Sequence, residues 1–137
     1  MTNAAPPPAA VLLDTNALLW LVSAPEKVSP AAREVLSQPT TEVAVSAASA
    51  WEIAIKTRLG RLQGDPLLSA WSDILADMSA TEVPIDGGDA ILADRLPWKH
   101  RDPFDRVIVA QAARRNLTIA TSDTRILQAA LTPTLKA

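Results

Sequence analysis

The chain has 137 residues, of which 48% are apolar, and its net charge is −2 at neutral pH. This length and apolar content suit one domain with one packed core, and they are rich enough in apolar residues to suggest a partner or self-association. The charge gives no global signal for nucleic acid, so a nucleic-acid site would have to concentrate its positive charge locally. The absence of cysteine excludes disulfides, zinc–thiolate sites and cysteine nucleophiles.

Residues 1–10 are rich in Pro and Ala and predict a loose N-terminal tail, which leaves residues 11–137 as a single domain. The apolar run 11–22 could suggest a signal sequence, but no basic residue precedes it and Asp14 interrupts it. No stretch approaches the roughly 18 apolar residues that a membrane span needs. We therefore expect a cytoplasmic protein without a membrane partner.

The predicted elements alternate between strands and helices, which indicates an α/β fold with three layers, α/β/α, around a central, mainly parallel sheet. In such sheets, ligands bind beyond the carboxyl ends of the strands. The third strand contains Pro84, which indicates a constrained or edge position. In chain order we predict a strand at 11–13, a helix at 17–22, a helix from 29, a strand at 41–45, helices at 47–59 and 65–78, a strand at 82–85, helices at 86–96 and 102–115, a strand at 117–120, a helix at 123–130 and a C-terminal edge strand.

Two aspartates follow predicted strands and precede predicted helices. Asp14 and Asp123 would therefore lie where a parallel sheet places its binding site, although each could equally be a helix N-cap. Asn16 could orient Asp14 or cap the first helix in its place, and Ser122 competes with Asp123 for the second cap.

Three further acids lie at helices. Glu52 could pair with Lys56, four residues on, but its neighbours are nearly all apolar, so we expect it to point into a cleft. Asp102, Pro103 and Asp105 form a good helix start, with Asp102 as the N-cap. Asp105, one turn into the helix, can support the cap and still face a site at the strand ends.

Capping explains most of these acids one by one, but their combination favours a site, because the junctions converge on one edge of the sheet. Clustered carboxylates repel one another, so we expect the pKa of at least one of them to be raised and the cluster to bind cations. Oxygen ligands without His or Cys select Mg²⁺ or Mn²⁺. One or two such ions can activate water and stabilise both oxygens of a phosphodiester displacement.

Four segments carrying these acids resemble the PIN-domain nucleases, and in particular the VapC-type toxins of bacterial toxin–antitoxin pairs. The resemblance runs from about Val11 to the C-terminus, with the motifs in the family's order and spacing. The segments are LLDTN at 12–16, SAWEIAIK at 49–56, HRDPFDR at 100–106 and ATSD at 120–123.

The resemblance implies a PIN-like fold and an endoribonuclease that depends on Mg²⁺ or Mn²⁺. It also implies an RNA substrate, a homodimer and a cognate antitoxin. Asp102 belongs to the family pattern but is a less certain ligand than the other acids. The family's catalytic and metal-binding acids carry over onto Asp14, Glu52, Asp105 and Asp123.

Basic residues cluster at 56–61, 99–106 and 114–115. The second group adjoins Asp105 and is the best candidate for contacting phosphates. Base stacking of the RRM type is not expected, since the chain has no Tyr and one Phe, and the four Trp residues are expected in the core or an interface. The candidate supporting or RNA-contacting residues are Asn16, Lys99, Arg101, Asp102 and Arg106.

Other functions are compatible with the same acids. A metal-dependent phosphatase or a DNA nuclease would use the same metal chemistry. A non-catalytic α/β binding module would need the acids only as helix caps. The lone histidine, His100, excludes a metal-free ribonuclease built on two histidines, and it is expected to be structural or to contact RNA.

Overall fold

The run Val11-Leu12-Leu13 forms the middle of the sheet in the computed structural model, which describes residues 8–137. All three side chains are fully buried, with Val11 and Leu13 on one face of the sheet and Leu12 on the other. A strand covered on both faces needs this continuous apolar pattern. Its parallel neighbours complete one five-stranded sheet in the order β3-β2-β1-β4-β5: β1 (Ala10–Leu13), β2 (Glu42–Ser46), β3 (Ala80–Val83), β4 (Thr118–Thr121) and β5 (Thr134–Lys136).

Helices cover both faces of the sheet, which confirms the predicted three-layer α/β/α architecture. One face packs against α1, α2, α4 and α5, and the other against α6, α7 and α8, while α3 contributes Ile53 to the first core and Ala48 to the second. No helix within residues 8–137 is both long and apolar enough to cross a membrane. The helices are α1 (Thr15–Ser23), α2 (Pro30–Ser37), α3 (Ala47–Arg58), α4 (Asp65–Ser69), α5 (Trp71–Asp77), α6 (Gly87–Arg95), α7 (Pro103–Arg115) and α8 (Thr124–Ala129), with a single 3₁₀ turn at Pro25–Lys27.

Two elements differ from the sequence prediction. The helix expected at 65–78 is broken at Ala70, whose backbone leaves the helical region although Ala favours helices. Burial of Leu67 and Leu75 in the core overrides that local preference. Strand β3 lies earlier than predicted and ends before Pro84, which has no N–H to continue the strand pairing. It is an edge strand, as the proline indicated.

The two chain ends also bear on the prediction. Most of the predicted loose tail, residues 1–7, lies outside the described residues, and Ala10 already belongs to β1. The predicted C-terminal edge strand is confirmed as β5, which pairs with β4.

A buried ionic cluster fixes α6 against the C-terminal end of α7. Asp89, with 0% of its surface exposed, accepts hydrogen bonds from Arg114 Nη1 and Arg115 Nη1, each at 2.7 Å. Gly88 leaves room for this arrangement, because a Cβ there would lie 2.5 Å from the Arg114 guanidinium. We call this group the Asp89 cluster: Asp86, Asp89, Gln111, Arg114 and Arg115.

Candidate active site

Asp14 lies at the carboxyl end of β1 and caps α1. Its Oδ1 accepts a hydrogen bond from the Ala17 backbone N–H at 2.7 Å, and its Oδ2 accepts one from Thr121 Oγ1 at 2.5 Å. The residue is only 4% exposed. Burial raises the pKa of this carboxyl to about 6, and the charges of Asp105 and Asp123 act in the same direction. Asp14 is thus the cap itself, while Asn16 is exposed in the first turn of α1.

Asp123 occupies the matching position after the neighbouring strand, β4, and caps α8 through the Arg125 backbone N–H. The Arg125 side chain also holds the carboxylate, with Nε 3.2 Å from Oδ1 and Nη2 2.9 Å from Oδ2. This guanidinium lowers the pKa of Asp123. The expected competition for the cap is decided in favour of Asp123 over Ser122.

Thr121 connects the two strand ends, and the sequence analysis did not predict this role. Its hydroxyl donates to Asp14 Oδ2 and accepts from the Asp123 backbone N–H at 3.0 Å. The contact exists because β1 and β4 are adjacent in the sheet, although 107 residues separate Asp14 from Thr121. Without the strand order, the available signal was that Thr121 lies two residues before a candidate acid, Asp123.

Glu52 combines the two alternatives that its sequence position left open. It is buried, with 5% exposure, and its Oε2 nevertheless pairs with Lys56 Nζ at 2.5 Å, one turn along α3. Its Oε1 is also buried but has no hydrogen-bond partner. A buried carboxylate oxygen without a donor is costly unless a cation or another donor reaches it.

Asp105 lies in the first turn of α7, beside the predicted cap. Asp102 Oδ1 accepts from the backbone N–H groups of Phe104, at 2.9 Å, and Asp105, at 3.1 Å, so Asp102 is the N-cap. Asp105 Oδ2 lies 2.7 Å from Nε2 of the lone histidine, His100. Burial raises the pKa of Asp105, the charges of Asp102 and Glu52 raise it further, and the hydrogen bond from His100 opposes them.

The four acids share one edge of the sheet, which we call the acidic edge: Asp14, Glu52, Asp105 and Asp123. Asp14 and Asp123 follow the adjacent strands β1 and β4. Asp14 lies near enough to Asp105 and Asp123, and Asp105 to Glu52, for the neighbouring charges to raise the pKa of Asp14 and of Asp105. Mutual repulsion was expected to be the main cause of a raised pKa, but for both Asp14 and Asp105 burial raises the pKa more than the neighbouring charges do. Burial is the main cause because the side chains of Asp14 and Asp105 are largely shielded from water, at 4% exposure for Asp14 and 17% for the Asp105 side chain.

The donor atoms of the acidic edge are of the type that binds a divalent cation, but they are not arranged around a common point. All four side chains offer carboxylate oxygens, and Glu52 Oε1 is buried without a partner. Within residues 8–137, however, no group of three or more Asp, Glu, His or Cys side chains is arranged to hold a metal ion. Each acid is instead hydrogen-bonded to a donor of its own: Thr121 for Asp14, Lys56 for Glu52, His100 for Asp105 and Arg125 for Asp123.

The basic candidates fall into two kinds. Arg106 directs all five of its N–H donors to backbone carbonyls, at 2.7–3.0 Å, which fixes the loop before α7. Lys99 and Arg101 lie on that loop, are exposed, and line a groove of about 950 Å³ together with Trp98 and Pro103. The carbonyls bound by Arg106 belong to Ala93, Asp94, Leu96, Trp98 and His100.

The fold and the acidic edge together define a class: α/β/α proteins that gather carboxylates where their parallel strands end. The PIN domain family model matches residues 11–131, and the chain belongs to that family. A curated relative, Ribonuclease VapC22 of Mycobacterium tuberculosis, is 35% identical over 118 residues, which cover 85% of this chain and 88% of the relative.

Solved structures with low sequence identity share the fold. A chain of VapBC2 from Rickettsia felis, bound to a DNA fragment from its promoter, aligns with a TM-score of 0.68 and 13% identity over 92% of this chain and 97% of its own. A chain of VapBC-1 from nontypeable Haemophilus influenzae aligns with a TM-score of 0.68 and 16% identity, over 93% of this chain and 97% of its own.

Proposed function

We propose that this protein is an endoribonuclease that requires Mg²⁺ or Mn²⁺ and is the toxin of a bacterial toxin–antitoxin pair. The observation that carries the proposal is the acidic edge, in a PIN-domain chain 35% identical to a relative named as a ribonuclease. Helix capping accounts for Asp14, Asp102 and Asp123. It does not account for Glu52, which lies inside α3 with a buried and unpaired Oε1.

In this proposal, Asp14, Glu52, Asp105 and Asp123 hold the metal. A divalent ion bound there would supply an activated water and neutralise charge that develops on the phosphodiester. Thr121 would keep Asp14 oriented through its 2.5 Å hydrogen bond. His100 would do the same for Asp105, and Asp102 would fix the start of α7 as its cap.

The basic side chains that now hold the acids have a second use in this proposal. Lys56 and Arg125 have exposed side chains, at 44% and 61%, so they can leave Glu52 and Asp123 without burying a charge. Once released, they would face the phosphates of a bound RNA at the rim of the site. Lys99 and Arg101 would extend this basic rim along the groove before α7.

A test of the activity compares cleavage of a structured RNA in Mg²⁺, in Mn²⁺ and in EDTA. We expect cleavage with either ion and none in EDTA. Single-stranded DNA of the same sequence and a phosphomonoester test the alternatives of a DNA nuclease and a phosphatase. Asp105→Asn should abolish cleavage, whereas Asp77→Asn, which removes the same charge from an exposed position on α5, should not. Metal-independent cleavage, or full activity of Asp105→Asn, would refute the proposed site.

The proposed partners are a cognate antitoxin and a second copy of the chain. Several large apolar side chains in the described region are at least 36% exposed, among them Val22, Ile85 and Ile91, which suits a chain that buries surface in complexes. The product of the neighbouring gene should suppress RNA cleavage when it is co-expressed, and the complex should persist in size-exclusion chromatography. Undiminished cleavage and separate elution would refute this partnership.

A further inference from the structure

An aromatic pair, exposed Trp51 and partly buried Phe104, lies beside the acidic edge and has no part in the site described so far. Trp51 is 61% exposed, whereas the other three tryptophans are partly buried. Its ring lies 5.3 Å from that of Phe104, measured between centroids, and the two planes are nearly perpendicular, at 85°. Trp51 directly precedes Glu52 on α3, and Phe104 directly precedes Asp105 on α7.

The perpendicular contact leaves Trp51 able to stack on a further ring. If the Phe104 edge meets the Trp51 face, the opposite indole face is free. If the Trp51 edge meets the Phe104 face, both indole faces are free of that contact. The high exposure of Trp51 is consistent with either arrangement. Phe104 restrains the indole in advance, which reduces the entropy lost when a ligand stacks on it.

The charge around Trp51 favours a polyanion as the occupant. Arg58, seven residues further along α3, lies on the same helix face as Trp51 and is exposed. An exposed aromatic ring with a cation on the same face is a combination that binds single-stranded nucleic acid.

We propose that Trp51, restrained by Phe104, stacks on a nucleobase of the RNA substrate next to the scissile phosphate. Trp51 would thereby contribute to substrate binding and to the choice of cleavage position. This inference rests on the proposed ribonuclease function. It identifies a binding residue outside the carboxylates, at a position where the sequence predicted a core or interface role.

The experiment pairs protein variants with an abasic RNA. After the cleavage position is mapped on a short RNA, a series of oligonucleotides replaces one flanking base at a time with an abasic residue. Wild type, Trp51→Ala, Trp51→Phe and Leu59→Ala are compared on each. Leu59 is a matched control, because it is exposed and apolar and lies about 12 Å further along the helix axis.

Stacking predicts a specific pattern of losses. Trp51→Ala should lower kcat/KM on the intact RNA by roughly 5- to 150-fold, mainly through KM, and Trp51→Phe should recover part of the loss. Removal of the stacked base should slow the wild type to a similar extent and Trp51→Ala hardly further. Leu59→Ala should cleave as the wild type does. Thermal melts of each variant verify that it is folded.

Three outcomes would overturn the inference, and they are distinguishable. A Trp51→Ala loss that is equal on intact RNA and on every abasic RNA would exclude base stacking. If Trp51→Ala and Leu59→Ala both change the sedimentation of the protein, the face is a protein interface instead. A wild type that cleaves no RNA would refute the ribonuclease proposal itself, whereas cleavage unaffected by Trp51→Ala refutes only the stacking.

Discussion

The acidic edge and the Asp89 cluster both bury aspartate, but they treat its charge in opposite ways. Asp14 is 4% exposed and Asp89 is 0% exposed. The pKa of Asp14 is raised to about 6 because its partners, a hydroxyl and a backbone N–H, do not compensate for burial. The pKa of Asp89 is lowered well below its usual range, because Arg114 and Arg115 donate to it and outweigh the same penalty.

The contrast shows that burial alone does not determine what an acid does. The Asp89 cluster satisfies its carboxylate completely, so it stabilises the fold and has little capacity for a further ligand. At the acidic edge, burial raises the pKa of Asp14 and Asp105, so these two charges cost stability, and the proposed cation would offset that cost. Helix α7 connects the two regions, since its N-cap, Asp102, lies beside the site and its last residue, Arg115, belongs to the cluster.

The largest expected difference between the two regions is in activity. Asp14→Asn should lower RNA cleavage by at least about 100-fold, because loss of one ligand displaces the metal and the substrate. The same variant should be no less stable than wild type without metal, since Asn can keep the cap and carries no buried charge. Single-turnover cleavage and urea unfolding measure the two effects. A variant that is active, or inactive only because it is unfolded, contradicts this assignment.

Substitution in the Asp89 cluster should lower stability and leave RNA cleavage nearly unchanged. Asp89→Asn should lower the free energy of unfolding by about 3 kcal/mol, which corresponds to roughly 10 °C in Tm, because two arginines lose their buried counterion. Asp86→Asn is the matched control: Asp86 touches the same Arg114 but is 56% exposed, so its loss should cost less than about 1 kcal/mol. Cleavage at a temperature where Asp89→Asn is folded should stay near the wild-type rate. Equal losses of stability in the two variants would mean that burial of Asp89 is not the cause.

The two regions should also give opposite dependences on pH. For Asp14 the pKa rises from 3.8 to about 6 on folding, so the native state binds more protons between these values. Its stabilising contribution is complete below pH 3.8 and is lost as the pH rises through 6. At about 1.4 kcal/mol per pKa unit, the stability of Asp14→Asn relative to wild type should rise by up to about 3 kcal/mol between pH 4 and 7 in EDTA.

Asp89 should make stability depend on pH in the opposite direction, because its pKa is lowered on folding. Its folded pKa lies below 3.8, so its contribution is present above that pH and is lost as the solution is acidified further. The stability difference between wild type and Asp89→Asn should therefore shrink below about pH 4. Denaturant unfolding at each pH tests both trends, and parallel curves for the three proteins would contradict them.

The smallest expected effect is the response to metal. Mg²⁺ at 10 to 100 times its Kd should stabilise wild type by about 1–3 kcal/mol through mass action, and Asp14→Asn by clearly less. Asp89→Asn should gain as much as wild type from its lower starting point. Thermal melts in EDTA and in millimolar Mg²⁺ give the comparison. An equal gain in wild type and Asp14→Asn would show that Asp14 is not a ligand.

Much of the fold could be predicted because local signals agreed with it. The buried run at 11–13, the Asp102-Pro103 start of α7 and the αL residue Gly60 after α3 each have a local cause. The shared location of the acids also followed, since the carboxyl ends of parallel strands meet at one edge. These features depend on neighbouring residues or on general sheet geometry.

The remaining contacts depend on which elements become neighbours. Thr121 meets Asp14 only because β4 lies beside β1, and the cluster at Asp89 forms only because α6 packs antiparallel to α7. The break at Ala70 is likewise imposed by the core and not by local propensity. The sequence showed that Arg125 is two residues from Asp123, but not that its side chain folds back onto that carboxylate.

The hydrogen bonds from Arg106 to five backbone carbonyls affect which residues of this protein can change during evolution. The guanidinium binds main-chain oxygens between Ala93 and His100, so it holds the path of that loop without reading the side chains there. Exposed positions such as Lys99 can therefore be exchanged with little effect on the frame that presents them. Because one arginine holds the backbone of this loop, the exposed side chains at the rim of the cleft can change during evolution while the shape of the loop is kept.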